Sequence, residues 1–181
     1  NTGAIFASFS PDNKQLALAH QSSSSYSKWE ISLWSYPSGE RIALDGMGYL
    51  SSKPQYIEFS PDKSKRKILI VLSNSVELWD LDSKQKTDVI ESITCVGLGC
   101  GLQASFNHDG TMILLRKGRE YTSRYDELAL WDIETKNEIT LIPGPNVRTV
   151  KIYISSAFFS KDGTQIITVS PSPDNIKDNA V

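Results

Sequence analysis

The residues that could bind a metal ion or a phosphate group lie together in one glycine-rich stretch. Cys95 and Cys100 flank Gly97 and Gly99 there, and Gly101 follows directly. A structural zinc site requires four ligands, and the chain has no second cysteine pair to complete one. A phosphate cradle requires a helix that begins directly after the glycines, whereas the residues that follow predict a strand. We therefore interpret the stretch as a close backbone turn and predict no metal ion and no cofactor.

The residue patterns typical of catalysis are missing from the sequence. Its two histidines, His20 and His108, are far apart in the chain. No Gly-x-Ser-x-Gly, His-Glu-x-x-His or Gly-x-x-x-x-Gly-Lys-Ser/Thr motif occurs. A nucleophile or a general base would need partners at a recognisable spacing, and the sequence offers none. We predict a protein that is not an enzyme.

One polar segment has the composition of a protein-binding loop. Between Arg116 and Tyr125, arginine and tyrosine alternate with small and charged residues. Arg and Tyr are enriched among the residues that dominate the binding energy of protein interfaces, and loops carry function more often than cores do. The segment therefore predicts a contact with another protein.

The composition is that of an ordinary globular chain. Its 181 residues include 19 Lys+Arg and 21 Asp+Glu, for a net charge of −2, and 39% of them are hydrophobic. A balanced charge provides no attraction to nucleic acid or to anionic lipid. The longest apolar run, 68–72, is far shorter than a membrane span, and two cysteines form no disulfide framework. We predict a single domain, no nucleic-acid or membrane partner, and a cytoplasmic location.

Four copies of a turn motif divide the chain into similar units. Each copy begins with a phenylalanine that precedes an aspartate-containing turn, and these are Phe9, Phe59, Phe106 and Phe159. A Leu-Trp pair follows each of the first three turns, and its tryptophans are Trp34, Trp79 and Trp131. Asp80 and Asp132 come directly after two of these tryptophans. Pro, Asp, Asn and Gly favour tight turns, and the short apolar segments beside them favour strands.

Each unit is typical of a four-stranded antiparallel meander. The predicted units are 4–44, 55–90 and 102–142, with a half unit at 153–170 and the loop of an interrupted hairpin at 171–181. Strands that are apolar on both faces need cover on both sides, and stacked sheets arranged as in a β-propeller provide it. The predicted fold is all-β: a β-propeller fragment of about three and a half blades, forming one partial domain over 1–181.

The Phe-Ser-Pro-Asp turn, the apolar strand after it and the Leu-Trp-Asp segment together resemble the WD40 repeat. The motif phenylalanines are 50, 47 and 53 residues apart, against about 40–45 residues in the usual repeat. The resemblance implies an interior slice of a propeller of about six to eight blades. It also implies that the four phenylalanines, the three tryptophans and the two aspartates anchor the blades. The Gly-His pair typical of the family is absent, so we expect the blades to be held together by apolar packing.

The resemblance further implies a function and a binding surface. WD40 propellers bind partners through loops on one rim, which implies a non-catalytic scaffold that binds a protein partner or an adjacent domain of the same chain. The rim residues it implies here are Tyr26, Tyr49, Arg119, Tyr121, Arg124, Tyr125 and Arg148. The alternative is a propeller that gates a prolyl-oligopeptidase-like hydrolase, or a TolB-like periplasmic propeller. The irregular repeats and the missing Gly-His pair also fit that alternative.

Overall fold

The computed structural model describes residues 4–44, 48–91, 102–118, 127–142 and 154–170. Over these ranges the chain forms antiparallel strands joined by short turns, and it contains no helix. The prediction of an all-β chain is therefore confirmed for the part that the structure describes. Two predicted features, the Cys95 to Cys100 turn and the loop at 171–181, lie outside the described residues.

The strands form three four-stranded sheets and one two-stranded sheet, each in chain order. Sheet 1 consists of β1 (Ala4–Phe9), β2 (Gln15–Ser22), β3 (Ser25–Ser35) and β4 (Arg41–Ile42). Sheet 2 consists of β5 (Tyr56–Phe59), β6 (Lys67–Val71), β7 (Ser75–Asp80) and β8 (Gln85–Glu91). Sheet 3 consists of β9 (Leu102–Phe106), β10 (Met112–Lys117), β11 (Glu127–Asp132) and β12 (Glu138–Ile142). Sheet 4 consists of β13 (Ser156–Phe159) and β14 (Ile166–Val169).

An aspartate closes the turn after the first strand of each sheet. Asp12 Oδ1 accepts the N–H of Lys14 at 3.0 Å. Asp62, Asp109 and Asp162 accept the N–H two residues further on in the same way, at 2.9, 3.0 and 3.1 Å. Hydrogen bonds from neighbouring hydroxyl and N–H groups hold the pKa of each carboxyl below its usual range, to about 2 for Asp162. Turn geometry thus accounts for the recurrence of aspartate at these positions.

A second aspartate closes the turn after the third strand in sheets 2 and 3. Asp80 Oδ1 accepts the N–H of Ser83 at 2.8 Å, and Asp132 Oδ1 accepts the N–H of Thr135 at 2.7 Å. These side chains therefore fix where the third strand ends and the fourth strand begins.

The sheets stack face to face, and each interface has its own apolar core. Between sheets 1 and 2 the core includes Ala17, Leu33, Ile57, Ile68, Ile70 and Trp79. Between sheets 2 and 3 it includes Leu69, Val71, Leu78, Ala104, Ile113 and Leu115. Between sheets 3 and 4 it includes Leu114, Leu128 and Ile154. Alternate residues of β6 and of β10 thus enter different cores, which explains the uninterrupted apolar runs 68–71 and 112–115 within these strands.

The motif phenylalanines occupy one register position but differ in burial. Phe59 and Phe106 are 7% and 6% exposed, because each packs towards the preceding sheet. Phe159 is half-buried against the core between sheets 3 and 4. Phe9 is 48% exposed, because it lies on the face of sheet 1 that no described sheet covers, and its ring contacts Tyr36 edge-on at 5.5 Å.

The motif tryptophans also occupy one register position and differ in burial. Trp34, Trp79 and Trp131 each pair with the second residue of the second strand in their sheet. Trp79 is buried in the core between sheets 1 and 2, and Trp131 packs in part against the core between sheets 2 and 3. Trp34 lies on the open face of sheet 1 and is half-buried.

Candidate functional site

A cavity of about 540 Å³ lies where the first strands of three successive sheets begin. We call this side of the sheets the upper edge; it also carries the turns that join the second strands to the third. The polar and aromatic lining residues are Gln55, Tyr56, Gln103, Ser105, Ser156 and Phe158. The remaining lining residues are apolar, so no lining residue carries a charge. The volume is within the range of small-molecule and peptide-side-chain pockets.

The cavity offers aromatic surface beside uncharged hydrogen-bonding groups. Tyr56 and Phe158 are each 44% exposed, so their rings are open to an incoming group. Gln55 and Gln103 provide amide donors and acceptors of the kind that pair with a peptide backbone. Aromatic rings in a pocket with a few polar groups are typical of the centre of a binding interface. This arrangement can hold a ligand by packing and hydrogen bonding.

Glu58 lies two residues beyond Tyr56 in β5 and links sheet 2 to sheet 3. Its Oε2 atom accepts the backbone N–H of Phe106 at 3.2 Å. Burial raises the pKa of Glu58 to about 7, and the hydrogen bond from Phe106 opposes this shift only in part. The partial burial of Tyr56 itself, together with the charge of the Glu58 carboxylate, raises the pKa of the Tyr56 hydroxyl. The residue beside the cavity is therefore a carboxyl group that titrates near neutral pH.

The connection between sheets 1 and 2 brings a second group of side chains to the upper edge. Tyr49 Oη is 3.3 Å from Ser24 Oγ, which is itself 2.9 Å from Ser22 Oγ. The Nζ atom of Lys28 lies 4.3 Å from the centre of the Tyr49 ring. The hydrogen bonds from Ser24 and Ser22 and the charge of Lys28 lower the pKa of the Tyr49 hydroxyl. Tyr49, predicted as a rim residue, is thus joined to the β2–β3 turn.

The other predicted rim residues are described less completely. Tyr26 lies in β3, next to the β2–β3 turn. Five further residues lie outside the described part of the chain: Arg119, Tyr121, Arg124, Tyr125 and Arg148. In the sequence, the first four lie between β10 and β11.

A buried polar network that sequence reasoning missed supports the Trp79 ring. Glu77 is fully buried, and its Oε2 atom accepts the indole N–H of Trp79 at 2.9 Å. Its Oε1 atom accepts the hydroxyl of Ser51 at 2.5 Å and the ammonium group of Lys86 at 2.7 Å. The expectation that apolar packing holds the blades together therefore left out this polar network. The available signal was a glutamate between the apolar residues Val76 and Leu78 of β7.

The residue equivalent to Glu77, two positions before the motif tryptophan, differs in the other two sheets. Trp34 donates its indole N–H to Ser32 Oγ at 3.0 Å. In sheet 3 the residue two before the tryptophan is Ala129, and the Trp131 indole N–H has no acceptor among the described residues. The three sheets therefore share one tryptophan position, but the indole N–H has an acceptor in only two of them among the described residues.

Comparison with known proteins gives a match of fold. No protein-family model matches the sequence, and no curated protein sequence matches it either. Among solved structures, the chain is similar to the Dos1 propeller, with a TM-score of 0.65 and 11% identity over 92% of this chain and 39% of that one. It is also similar to a chain in the nidogen/laminin complex, with a TM-score of 0.59 and 13% identity over 93% of this chain and 57% of that one.

The fold is a partial β-propeller. The predicted fold class is confirmed by these matches together with the four-stranded antiparallel sheets. At such low sequence identity the matches show the fold alone, and they do not single out the WD40 family. Each four-stranded sheet is a blade, and the first strands, β1, β5, β9 and β13, correspond to the innermost strands of the propeller blades. The cavity lies where three of these strands begin.

Two other kinds of site, a membrane-spanning helix and a metal centre, are not found among the described residues. No helix there is long and apolar enough to cross a membrane. No group of three or more His, Cys, Asp or Glu side chains is close enough to hold a metal ion over the same ranges.

Proposed function

We propose that the chain is part of a WD40-type β-propeller that serves as a non-catalytic protein-interaction scaffold, with its binding face at the upper edge. The observation that carries this proposal is the uncharged, aromatic-containing cavity formed by three successive innermost strands. Three blades contribute to one concave surface, and a rigid stack of sheets presents it without rearrangement. The partner is a protein or an adjacent domain of the same chain.

The WD40 assignment is supported by the role of the repeated Leu-Trp-Asp segment. In blades 2 and 3 the tryptophan packs towards the preceding blade and the following aspartate closes the next turn. The cytoplasmic location remains part of the proposal and follows from the low cysteine content. No feature of the described ranges favours the gating role over the scaffold.

Affinity purification of the full-length protein tests the proposal. The test variant combines Tyr56→Ser with Phe158→Ser, and the matched control combines Val89→Ser with Ile139→Ser. The control residues are 44% and 50% exposed, like the test residues, but they lie on the outermost strands. We expect the test variant to lose proteins that copurify with the wild type and the control to retain them. If both variants retain the same set, the upper-edge cavity is not the binding face.

A further inference from the structure

Two lysines at the upper edge are held against aromatic rings. Lys28 Nζ lies 4.3 Å from the centre of the Tyr49 ring, and Lys53 Nζ lies 5.9 Å from the centre of the Trp29 ring. Cations at these distances are attracted by the ring faces. We call these four residues the cation–aromatic patch.

The backbone of the connection fixes the two rings. Leu50 pairs with Trp29 as an isolated antiparallel bridge, and its N–H donates to the Trp29 carbonyl at 2.8 Å. Leu50 is buried in the core between blades 1 and 2, and Trp29 packs against that core. Tyr49 is attached to the β2–β3 turn through Ser24. The Trp29 ring therefore packs against the folded core, whereas the Tyr49 ring is 44% exposed and is held by its hydrogen bond to Ser24. The lysines that lie over both rings are exposed.

Neither lysine of the patch forms an ion pair among the described residues, unlike three other lysines of the chain. Lys86 binds Glu77, Lys117 binds Glu127 and Glu138, and Lys136 binds Asp88. An aromatic ring restricts an ammonium group without neutralising it, so both charges of the patch remain available to a binding partner. Restricting the side chains in advance also reduces the entropy lost on binding.

Among the described residues, one carboxylate acts on the patch through its charge. Glu30 opposes the lowering of the Tyr49 pKa through its charge. Its Oε1 atom lies 3.8 Å from His20 Nδ1, so it is directed towards blade 1. Two lysines against one carboxylate leave the patch cationic, and the serine hydroxyls beside Tyr49 add hydrogen-bond donors.

We propose that the cation–aromatic patch binds an acidic segment of the protein partner. This inference rests on the proposed function and extends it, because it assigns a charge to the part of the partner that lies outside the uncharged cavity. The rings and the lysines together match a segment that alternates Asp or Glu with small or apolar residues. Exposed charge pairs of this kind act mainly on specificity and association rate, and salt weakens them.

Fluorescence anisotropy with the full-length protein tests the inference. The probe is a short fluorescein-labelled peptide of alternating Glu and Ser, and the control probe has Gln in place of Glu. The test variant combines Lys28→Gln with Lys53→Gln. The matched variant combines Lys63→Gln with Lys161→Gln, which changes the net charge equally at exposed turns of the opposite edge.

We expect the acidic probe to bind more tightly than the Gln probe. The patch variant should weaken its binding about tenfold, since two exposed ion pairs contribute on that order. The matched variant should leave binding unchanged, and raising the salt from about 0.05 M to about 0.5 M should abolish the preference for the acidic probe.

Three outcomes would overturn the inference. Equal losses in the two variants would show attraction by net charge alone. Equal or tighter binding of a labelled oligothymidylate at the patch would show a site for polyanions in general, not for an acidic protein segment. If the acidic probe fails to bind while Tyr56→Ser with Phe158→Ser still loses its partner proteins, the patch is excluded and the scaffold function remains.

Discussion

The carboxylate of Glu58 accepts the backbone N–H of Phe106 at 3.2 Å and so joins the innermost strands of blades 2 and 3. Ser8 forms the equivalent bond one blade earlier, where its hydroxyl accepts the N–H of Phe59 at 3.3 Å. In blades 1 and 2, the residue before the motif phenylalanine therefore links its own blade to the next. Only Glu58 does so with a group that ionises.

Glu58→Gln should stabilise the protein at neutral and alkaline pH. Because folding raises the pKa of Glu58 from 4.5 to about 7, its favourable contribution is full below pH 4.5 and is lost as the pH rises through 7. Glutamine keeps an acceptor for Phe106 and does not ionise. Chemical unfolding at pH 5 and pH 8 should show a gain in the free energy of unfolding at pH 8 on the order of 3 kcal/mol, and little change at pH 5.

The exposed Glu91→Gln variant is the control for that measurement. It should have the same stability as the wild type at both pH values. If Glu58→Gln changes the free energy of unfolding equally at both pH values, folding does not raise the pKa of the Glu58 carboxyl.

Trp79→Phe should destabilise the protein more than Trp131→Phe does. Both changes remove ring area, but only Trp79 donates its indole N–H to a buried carboxylate, Glu77. A lost hydrogen bond to a buried charged group costs about 1.5–3 kcal/mol. The losses in the free energy of unfolding, measured by thermal and chemical unfolding, should therefore differ between the two variants by roughly this amount. Equal losses would show that the hydrogen bond to Glu77 does not stabilise the fold.

Phe59→Ala should cost far more stability than Phe9→Ala, although both residues begin the same motif. Phe59 is enclosed by blades 1 and 2, and truncation of a buried phenylalanine costs about 3–5 kcal/mol. Phe9 lies on the open face of blade 1, so its truncation should cost no more than about 1.5 kcal/mol. Chemical unfolding of the same chain measures both values. A large loss for Phe9→Ala would mean that another sheet covers that face in the folded protein.

Gly110→Ala should be more destabilising than Gly39→Ala. Both glycines have φ of +74°, so both variants carry the strain of about 1–2 kcal/mol that a side chain brings to this conformation. A Cβ at Gly39 would meet open space, whereas one at Gly110 would lie 2.6 Å from Ser60 Oγ and 3.3 Å from the Asp62 nitrogen. Adding Ser60→Ala to Gly110→Ala should recover part of the loss. Without such recovery, the turns of blades 2 and 3 do not touch.

The repeated elements of the fold could be predicted from the sequence because their signals are local. The turns at Asp12, Asp62, Asp109 and Asp162 are closed by side chains two residues from the N–H they accept, so the residue types alone indicate them. The uninterrupted apolar run of β6 likewise indicated cover on both faces, and the stacked sheets provide it.

The cavity and the Glu77 network could not be predicted because they depend on contacts between distant segments. Ser51, Glu77 and Lys86 meet through a connection, a third strand and a fourth strand, and no periodic pattern relates their positions. The cavity likewise forms only where Tyr56, Gln103 and Phe158 meet from three blades. Tyr49 was expected at the rim, but its contact with Lys28 depends on how the connection folds back on β3.

Site-specific photo-crosslinking is the most direct test of the claim that the upper-edge cavity binds a protein partner. A photoreactive benzoylphenylalanine would replace Gln103 in the cavity or, as the control, Lys161 at the opposite edge of the full-length protein in its native cells. We expect a discrete crosslinked protein, or a crosslink to an adjacent domain of the same chain, from position 103 and no crosslink from position 161. Equal crosslinking at both positions, or none at position 103, would contradict it.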